Sequence, residues 1–165
     1  MRILGIDPGT GIVGFAVVDM NSAGRYKLVD AGVIRTPVHE ELANRLETIY
    51  DEVSELIKTN KPDCMSVEKL FFAKNVTTAM SVSHARGVII LAAKQAGLII
   101  GEYTPLQIKQ ALTGYGKAEK KQVQSMIQTI LNLKIPITQD DCADAIATAI
   151  CHAMSITSAR ISSSF

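Results

Sequence analysis

The first forty residues alternate between short apolar runs and clusters of turn-forming residues. The apolar runs cover residues 2–7, 12–18 and 26–34, and Gly, Pro, Asp and Asn concentrate at 7–11 and 19–24 between them. Runs of this length, rich in β-favouring residues and bounded by turn residues, are typical of strands. Short turns join neighbouring strands in an antiparallel manner. The pattern therefore predicts a three-stranded antiparallel meander at the start of the chain.

From residue 39 onwards the apolar positions recur every three or four residues, at Leu42, Leu46, Ile49, Val53 and Leu56. This spacing places them on one face of a helix, which Lys61-Pro62 ends. Strands are then predicted at 64–67 and 98–102, and helices at 75–96, 105–114, 118–131 and 140–154. This order predicts an α/β fold with a five-stranded mixed sheet flanked by helices. The fourth strand is expected to pair in parallel with the first.

Length and composition fit one domain. The chain has 165 residues, of which 47% are hydrophobic and 20% charged, as in a globular domain. Residues 1–157 are expected to form this domain, and the serine-rich segment 158–165 a frayed tail. The longest apolar stretch, 88–93, is far shorter than the roughly 18 residues of a membrane span. An acid at position 7 interrupts the first apolar run, so we expect no signal peptide and a cytoplasmic protein.

Acidic side chains end two predicted strands and begin the last predicted helix. Asp7 follows the first strand and Glu68 the fourth, so the two lie at one edge of the sheet if these strands pair. The last helix carries Asp140, Asp141 and Asp144, and acids three or four residues apart share a helix face. Spacing permits an Asp140/Asp144 pair as readily as Asp141/Asp144. An acid in the first turn can also simply cap the helix or complement its dipole.

A cluster of these acids would suit a hard divalent cation. Crowded carboxylates repel one another, and a bound divalent cation removes that repulsion most directly. Oxygen ligands without a paired His or Cys favour Mg²⁺ or Mn²⁺ over zinc. The three cysteines lack CxxC spacing and predict neither a zinc ribbon nor a disulfide framework.

The charges are unevenly distributed although the net charge is only +1. Between Lys69 and Lys121, eight basic side chains accompany two acidic ones, so the rest of the chain is acidic in balance. A basic stripe beside a carboxylate cluster is suited to a phosphate backbone. Solvated helix faces would give the same composition, so charge alone leaves the choice open.

Six short motifs stand in order along nearly the whole chain. They are Ile3-Leu4-Gly5-Ile6-Asp7-Pro8-Gly9, Val67-Glu68, Phe72-Ala73-Lys74-Asn75, Ala85-Arg86-Gly87, Ala118-Glu119-Lys120 and Asp141-Cys142-Ala143-Asp144-Ala145. Together they closely resemble RuvC-type Holliday junction resolvases. The resemblance implies an RNase H-like fold, a homodimer, and Mg²⁺-dependent cutting of two opposed strands at a four-way DNA junction, in homologous recombination and DNA repair. It also implies a branch-migration motor as a functional partner.

The resemblance assigns the catalytic, metal-binding carboxylates by position to Asp7, Glu68, Asp141 and Asp144. It thereby chooses between the pairs that spacing left open. It implies two Mg²⁺ ions per site, which Mn²⁺ can replace, with Asp7 between them. Two ions about 3.5–4 Å apart can clamp the attacking and leaving oxygens of an in-line phosphodiester hydrolysis.

An aromatic side chain and several basic ones are the candidate DNA contacts. Phe71 matches the position of the family's stacking aromatic, and stacking a base on such a ring is worth about 1–3 kcal/mol. Phe72 is expected to anchor the same loop in the core. Basic side chains would hold phosphates and position the substrate without reading its sequence. The candidates are Lys74, Arg86, Lys109, Lys117, Lys120 and Lys121.

Two other functions compete with this hypothesis. The segment Gly5-Ile6-Asp7-Pro8-Gly9-Thr10 also resembles the first phosphate motif of the actin, Hsp70 and sugar-kinase superfamily, which binds ATP. That fold needs two such domains, and 165 residues supply one. A junction-binding structural module without nuclease activity would gain nothing from carboxylates beside its DNA. A contribution of Asp140 or of His152, two helical turns after Asp144, also stays open.

Overall fold

The computed structural model describes residues 1–70, 76–135, 137 and 139–162. The described chain alternates between strands and helices. The strands are β1 (Arg2–Asp7), β2 (Ile12–Met20), β3 (Tyr26–Arg35), β4 (Cys64–Glu68) and β5 (Ile99–Tyr103). The helices are α1 (Leu42–Asn60), α2 (Val76–Gln95), α3 (Pro105–Thr113), α4 (Lys120–Ile130) and α5 (Asp140–Ser162).

All five strands belong to one mixed sheet in the order β3-β2-β1-β4-β5. The first three strands form an antiparallel meander, and β4 and β5 extend it in parallel beside β1. The predicted fold class is confirmed, including the parallel pairing of the fourth strand with the first. The last residues of β1, β4 and β5, which are Asp7, Glu68 and Tyr103, meet at one edge of the sheet. We call it the carboxyl edge.

Helices cover both faces of the central strand β1, which explains why nearly all of its residues are apolar. Leu4 and Ile6 point to one face and join the core formed with α1 and α2. Ile3 points to the opposite face, where it packs with Ala149 of α5. The alternation follows from the two-residue period of a strand.

Helix α5 lies unusually close to the sheet, and two glycines make this possible. A Cβ on Gly5 of β1 would stand 2.3 Å from the carbonyl oxygen of Ala145. A Cβ on Gly14 of β2 would stand 2.0 Å from the carbonyl oxygen of Asp141. Gly14 is also the register partner of Asp7. The first turns of α5 are therefore held beside the end of β1.

Two helix boundaries differ by three residues or more from the sequence-based expectation. Helix α1 begins at Leu42 instead of residue 39, because a turn closed by the Glu40 N–H on the Pro37 carbonyl precedes it. Helix α5 continues to Ser162, so residues 158–162 are helical where a frayed tail was expected. Near this end of α5 the Thr157 and Ser158 hydroxyls donate to carbonyls four residues earlier in the helix. Among the described helices, none is long and apolar enough to cross a membrane.

Candidate active site

Asp7 and Glu68 stand side by side at the carboxyl edge because β1 and β4 pair in parallel and each ends in its acid. Both side chains are partly buried. Burial is the main cause that raises the pKa of Asp7 from 3.8 to about 8, and the charges of Glu68, Asp144 and Asp141 add to it. Burial and the charge of Asp144 likewise raise the pKa of Glu68 from 4.5 to about 7. These carboxylates hinder one another's ionisation.

The first turns of α5 bring two of their three acids to Asp7. Asp141 and Asp144 are half-buried, and both act electrostatically on Asp7. Asp140 points away: its side chain is 65% exposed, and it accepts a hydrogen bond from the Gln124 amide. Sequence spacing could not separate these two pairs, whereas the packing of α5 against Gly14 places Asp141 rather than Asp140 beside the strand ends.

Two lysines line the cleft next to these acids. The two lysines are Lys109 and Lys120. The cleft has a volume of about 190 Å³, and its other lining residues are Glu68, Asp144, Pro105 and Val123. The Lys120 ammonium lies 3.0 Å from Asp144 and 3.5 Å from Asp140. Burial disfavours the charged form of Lys120 and by itself would lower its pKa. The hydrogen bond to Asp144 and the negative charges of Asp144 and Asp140 outweigh burial, so the pKa of Lys120 is raised overall. Lys120 is therefore the counter-charge of the acid cluster in this structure.

The donor set at this edge fits a hard divalent cation. The converging ligands are carboxylate oxygens, which Mg²⁺ and Mn²⁺ prefer. Burial and mutual repulsion raise the pKa values of Asp7 and Glu68, and the positive charge of a bound cation would offset both effects. Within the described ranges, no three Asp, Glu, His or Cys side chains are already close enough to form a ready metal site. Lys120, which bridges Asp140 and Asp144, would compete with a cation for Asp144.

The other predicted DNA contacts fall into three groups. Lys117 and Lys121 are exposed. Arg86 instead turns inward, where its guanidinium donates to the Glu68 carbonyl and pairs with Glu102. Phe71, Phe72 and Lys74 lie outside the described residues.

Sequence reasoning missed the environment of His152. This histidine is buried, and its Nδ1 lies 2.7 Å from the Tyr103 hydroxyl at the end of β5. Its ring fills the space above Gly101, where a Cβ would stand 2.3 Å from Nδ1. The glycine inside a strand was the available sequence signal, since such a position often admits the close approach of another group.

Comparison with known proteins agrees with this architecture. The family model described as crossover junction endodeoxyribonuclease RuvC matches residues 3–152. The RuvC protein of Brevibacillus brevis is 55% identical to this chain over 93% of it and 92% of the relative. That of Desulforamulus reducens is 50% identical over 93% of each.

Solved structures show the same relationship. The Thermus thermophilus RuvC structure superposes with a TM-score of 0.89 at 34% identity, covering 96% of this chain and 97% of that one. The T. thermophilus protein in complex with a Holliday junction substrate gives a TM-score of 0.88 at 32% identity, covering 96% of each chain. The fold is the RNase H-like fold of these resolvases. This chain belongs to the RuvC family of crossover junction endodeoxyribonucleases.

Proposed function

We propose that this chain is a structure-selective endonuclease that resolves four-way (Holliday) DNA junctions by paired symmetric nicks, in recombination and repair. The observation that carries the proposal is the convergence of strand-end and helix carboxylates beside two lysines, in a chain of this family. The acids are Asp7, Glu68, Asp141 and Asp144. The Thermus relative bound to a Holliday junction substrate supports the choice of DNA.

We infer that the four carboxylates hold two Mg²⁺ ions, which Mn²⁺ can replace. Such ions, when bound, neutralise phosphate charge and favour ionisation of an attacking water. The chain's own part is positioning: strand ends fix Asp7 and Glu68, and α5 fixes the other two acids. Lys109 and Lys120 line the same cleft, where cationic groups would attract the DNA phosphate.

The two alternative functions find less support. A pure scaffold has no use for buried acids whose ionisation is suppressed, since their crowding costs stability. The ATP-binding hypothesis rested on the segment Gly5-Ile6-Asp7-Pro8-Gly9-Thr10 alone, and the family match, over residues 3–152, is to nucleases.

We further propose a homodimer, because cutting two symmetry-related strands requires two sites related by a two-fold axis. One face of α2 suits this role. Met80, Gly87 and Leu91 lie seven and four residues apart and so share that face, and both large side chains are exposed. A glycine inside a helix costs about 1 kcal/mol relative to alanine. A Cβ on Gly87 would meet nothing within 4 Å in its own chain, so close approach of a second copy would explain it.

The resemblance alone supports a branch-migration motor as a further partner. Activity in the cytoplasm also stays a proposal.

The direct test is cleavage of a labelled four-way junction and a matched linear duplex, with Mg²⁺ or with EDTA, resolved on a denaturing gel. We expect paired symmetric nicks in the junction alone, and only with metal. Binding without cutting, across several junction sequences and with Mn²⁺ also supplied, would contradict the nuclease and favour the structural module.

Two aspartate variants sharpen this test. Asp7→Asn should lower cutting by at least about 100-fold, since losing a group that merely orients a metal ligand already costs about 10- to 100-fold. Junction binding should persist, because asparagine keeps the shape of the side chain. Asp140→Asn is the matched control and should cut nearly as well as the parent, because Asp140 is 65% exposed and its 3.5 Å contact with Lys120 is longer than the 3.0 Å contact that Asp144 keeps. Equal losses in both variants would contradict the assignment of the site.

A further inference from the structure

Arg86 uses its donors inside the protein rather than toward solvent. It lies on α2, and its Nε donates to the carbonyl oxygen of Glu68 at 3.1 Å. A terminal nitrogen of the same guanidinium pairs with the carboxylate of Glu102 on β5. Only 18% of the Arg86 side chain is exposed. These two bonds use Nε and one terminal nitrogen, and the low exposure limits what the rest of the guanidinium can reach outside the protein.

The Glu68 carbonyl that Arg86 binds lies at the end of β4, just beyond the last residue of β4 that pairs with β1. The register between β1 and β4 ends at Val67, one residue before Glu68. On the other side the Lys69 N–H donates to the Tyr103 carbonyl at 2.8 Å, so β5 still holds the strand end. Arg86 adds a third element, α2, to this junction. Its planar guanidinium presents donors in a rigid fork, which fixes the carbonyl and Glu102 relative to each other.

We propose that Arg86 is a positioning residue, which holds the end of β4 through the Glu68 carbonyl and is itself held by Glu102. The inference rests on the proposed function, in which Glu68 is a metal-binding acid. Groups that orient metal ligands without touching the metal typically contribute about 10- to 100-fold to metal affinity or activity. Loss of Arg86 should therefore act on the metal requirement and leave DNA affinity unchanged.

The competing hypothesis is that Arg86 contacts a DNA phosphate, as its charge and position in the sequence suggested. The two hypotheses predict different measurements. A lost phosphate contact weakens junction binding and lowers the slope of log affinity against log salt by about 1. A lost positioning residue leaves both quantities unchanged and weakens metal binding even without DNA.

Four variants separate these effects. Arg86→Lys keeps the charge, but one ammonium cannot reproduce the two-pronged geometry. Arg86→Gln removes the charge as well. Glu102→Gln removes the acidic partner and leaves Arg86 in place. Lys94→Gln removes an exposed charge from the same helix and is the matched control.

Three quantities should be measured for each variant. They are junction affinity in EDTA over a salt series, Mn²⁺ binding to the DNA-free protein by calorimetry, and the Mn²⁺ concentration that gives half-maximal cutting. We expect Arg86→Lys and Arg86→Gln to raise two Mn²⁺ values, the dissociation constant for Mn²⁺ and the Mn²⁺ concentration that gives half-maximal cutting, each by about 10-fold or more. Glu102→Gln should shift them in the same direction by less. Lys94→Gln should leave the Mn²⁺ values at those of the parent.

The inference is overturned if Arg86→Lys binds Mn²⁺ like the parent while the parent cuts junctions. It is also overturned if Arg86→Gln lowers the salt slope by about 1 without changing Mn²⁺ binding. Circular dichroism checks folding, and if Arg86→Gln unfolds, Glu102→Gln decides, since that side chain is 43% exposed and tolerant of change. If the parent cuts no junction but loses Mn²⁺ affinity on Arg86→Lys, the proposed function fails and the positioning role stands.

Discussion

Asp7 is a carboxylate whose surroundings disfavour its ionised form. It sits at the end of a central strand that is buried on both faces, and three further acids act on it. Such a group is stable as a neutral acid or as the ligand of a cation. Because the pKa of Asp7 is raised to about 8, the stability of the metal-free protein should depend on pH.

The sign of this linkage follows from where the protons bind. In the unfolded chain Asp7 loses its proton near its ordinary pKa of 3.8, while the folded chain retains it up to about pH 8. Between these values the folded state binds more protons, so the free energy of unfolding falls as pH rises. Glu68, with a pKa of about 7, acts in the same direction. One such group contributes at most about 1.4 kcal/mol per pH unit.

We therefore expect the metal-free protein to lose stability between pH 5.5 and 8, by at most about 1.4 kcal/mol per pH unit for each of these two acids while it stays protonated in the folded state. Denaturant unfolding in EDTA at several pH values measures it. Asp7→Asn should flatten the slope and stabilise the protein at pH 8, whereas Mg²⁺ should stabilise only the parent. His152 opposes the trend below its ordinary pKa of 6.5, because burial lowers its pKa, and comparison with Asp7→Asn removes that contribution. Identical slopes in the two proteins would contradict the crowding of Asp7.

At the scale of elements, the site depends on how closely α5 approaches the sheet. The helix carries Asp141 and Asp144, but only its contact with Gly5 and Gly14 sets their distance from β1. A side chain at either glycine would collide with helix backbone, which cannot move aside as a flexible side chain can.

Gly14→Ala should therefore displace the N-terminal turns of α5. We expect a loss of about 1–3 kcal/mol in stability, as for an overpacked core, and a rise of about 10-fold or more in the Mn²⁺ needed for cutting. The matched control is Ala16→Gly on the same strand, since Ala16 is also buried against this side of the sheet. That variant should lose stability without a change in the Mn²⁺ requirement. If both variants keep the parent's requirement, the close contact does not position the acids.

The elements that local pattern determines were predicted well. Strand β1 and the meander follow from short apolar runs bounded by turn residues. The parallel pairing of β4 with β1 followed from crossover rules. The convergence of strand-end acids could be anticipated because parallel strands end at the same edge.

Contacts between distant residues were beyond the sequence alone. Spacing could not choose Asp141 over Asp140, because that choice depends on how α5 packs on Gly14. A count of basic residues could not show that Arg86 is satisfied by Glu102, sixteen positions away on another element. The contact between His152 and the Tyr103 hydroxyl likewise depends on how α5 packs against β5, which the sequence does not show.

At the scale of the whole molecule, one chain presents one carboxyl edge, while a junction has two strands to be cut. Two copies related by a two-fold axis would supply both sites. The α2 face formed by Met80, Gly87 and Leu91 lies on the side of the sheet opposite α5. A charge placed there should leave the acid cluster of each copy intact.

Leu91→Glu should convert the dimer to a monomer, because two buried like charges would face each other across the axis. Sedimentation measures the change, and Val38→Glu, at an exposed apolar position before α1, is the control that should remain dimeric. The monomer should bind Mn²⁺ like the parent but lose paired nicking.

Gly87→Ala distinguishes the effect of helix propensity on stability from the effect of close contact between two copies. Alanine favours the helix by about 1 kcal/mol in a lone chain, yet its methyl group would obstruct a close helix pair. A more stable dimer in Gly87→Ala, or a dimeric Leu91→Glu, would assign the two-fold axis to another surface.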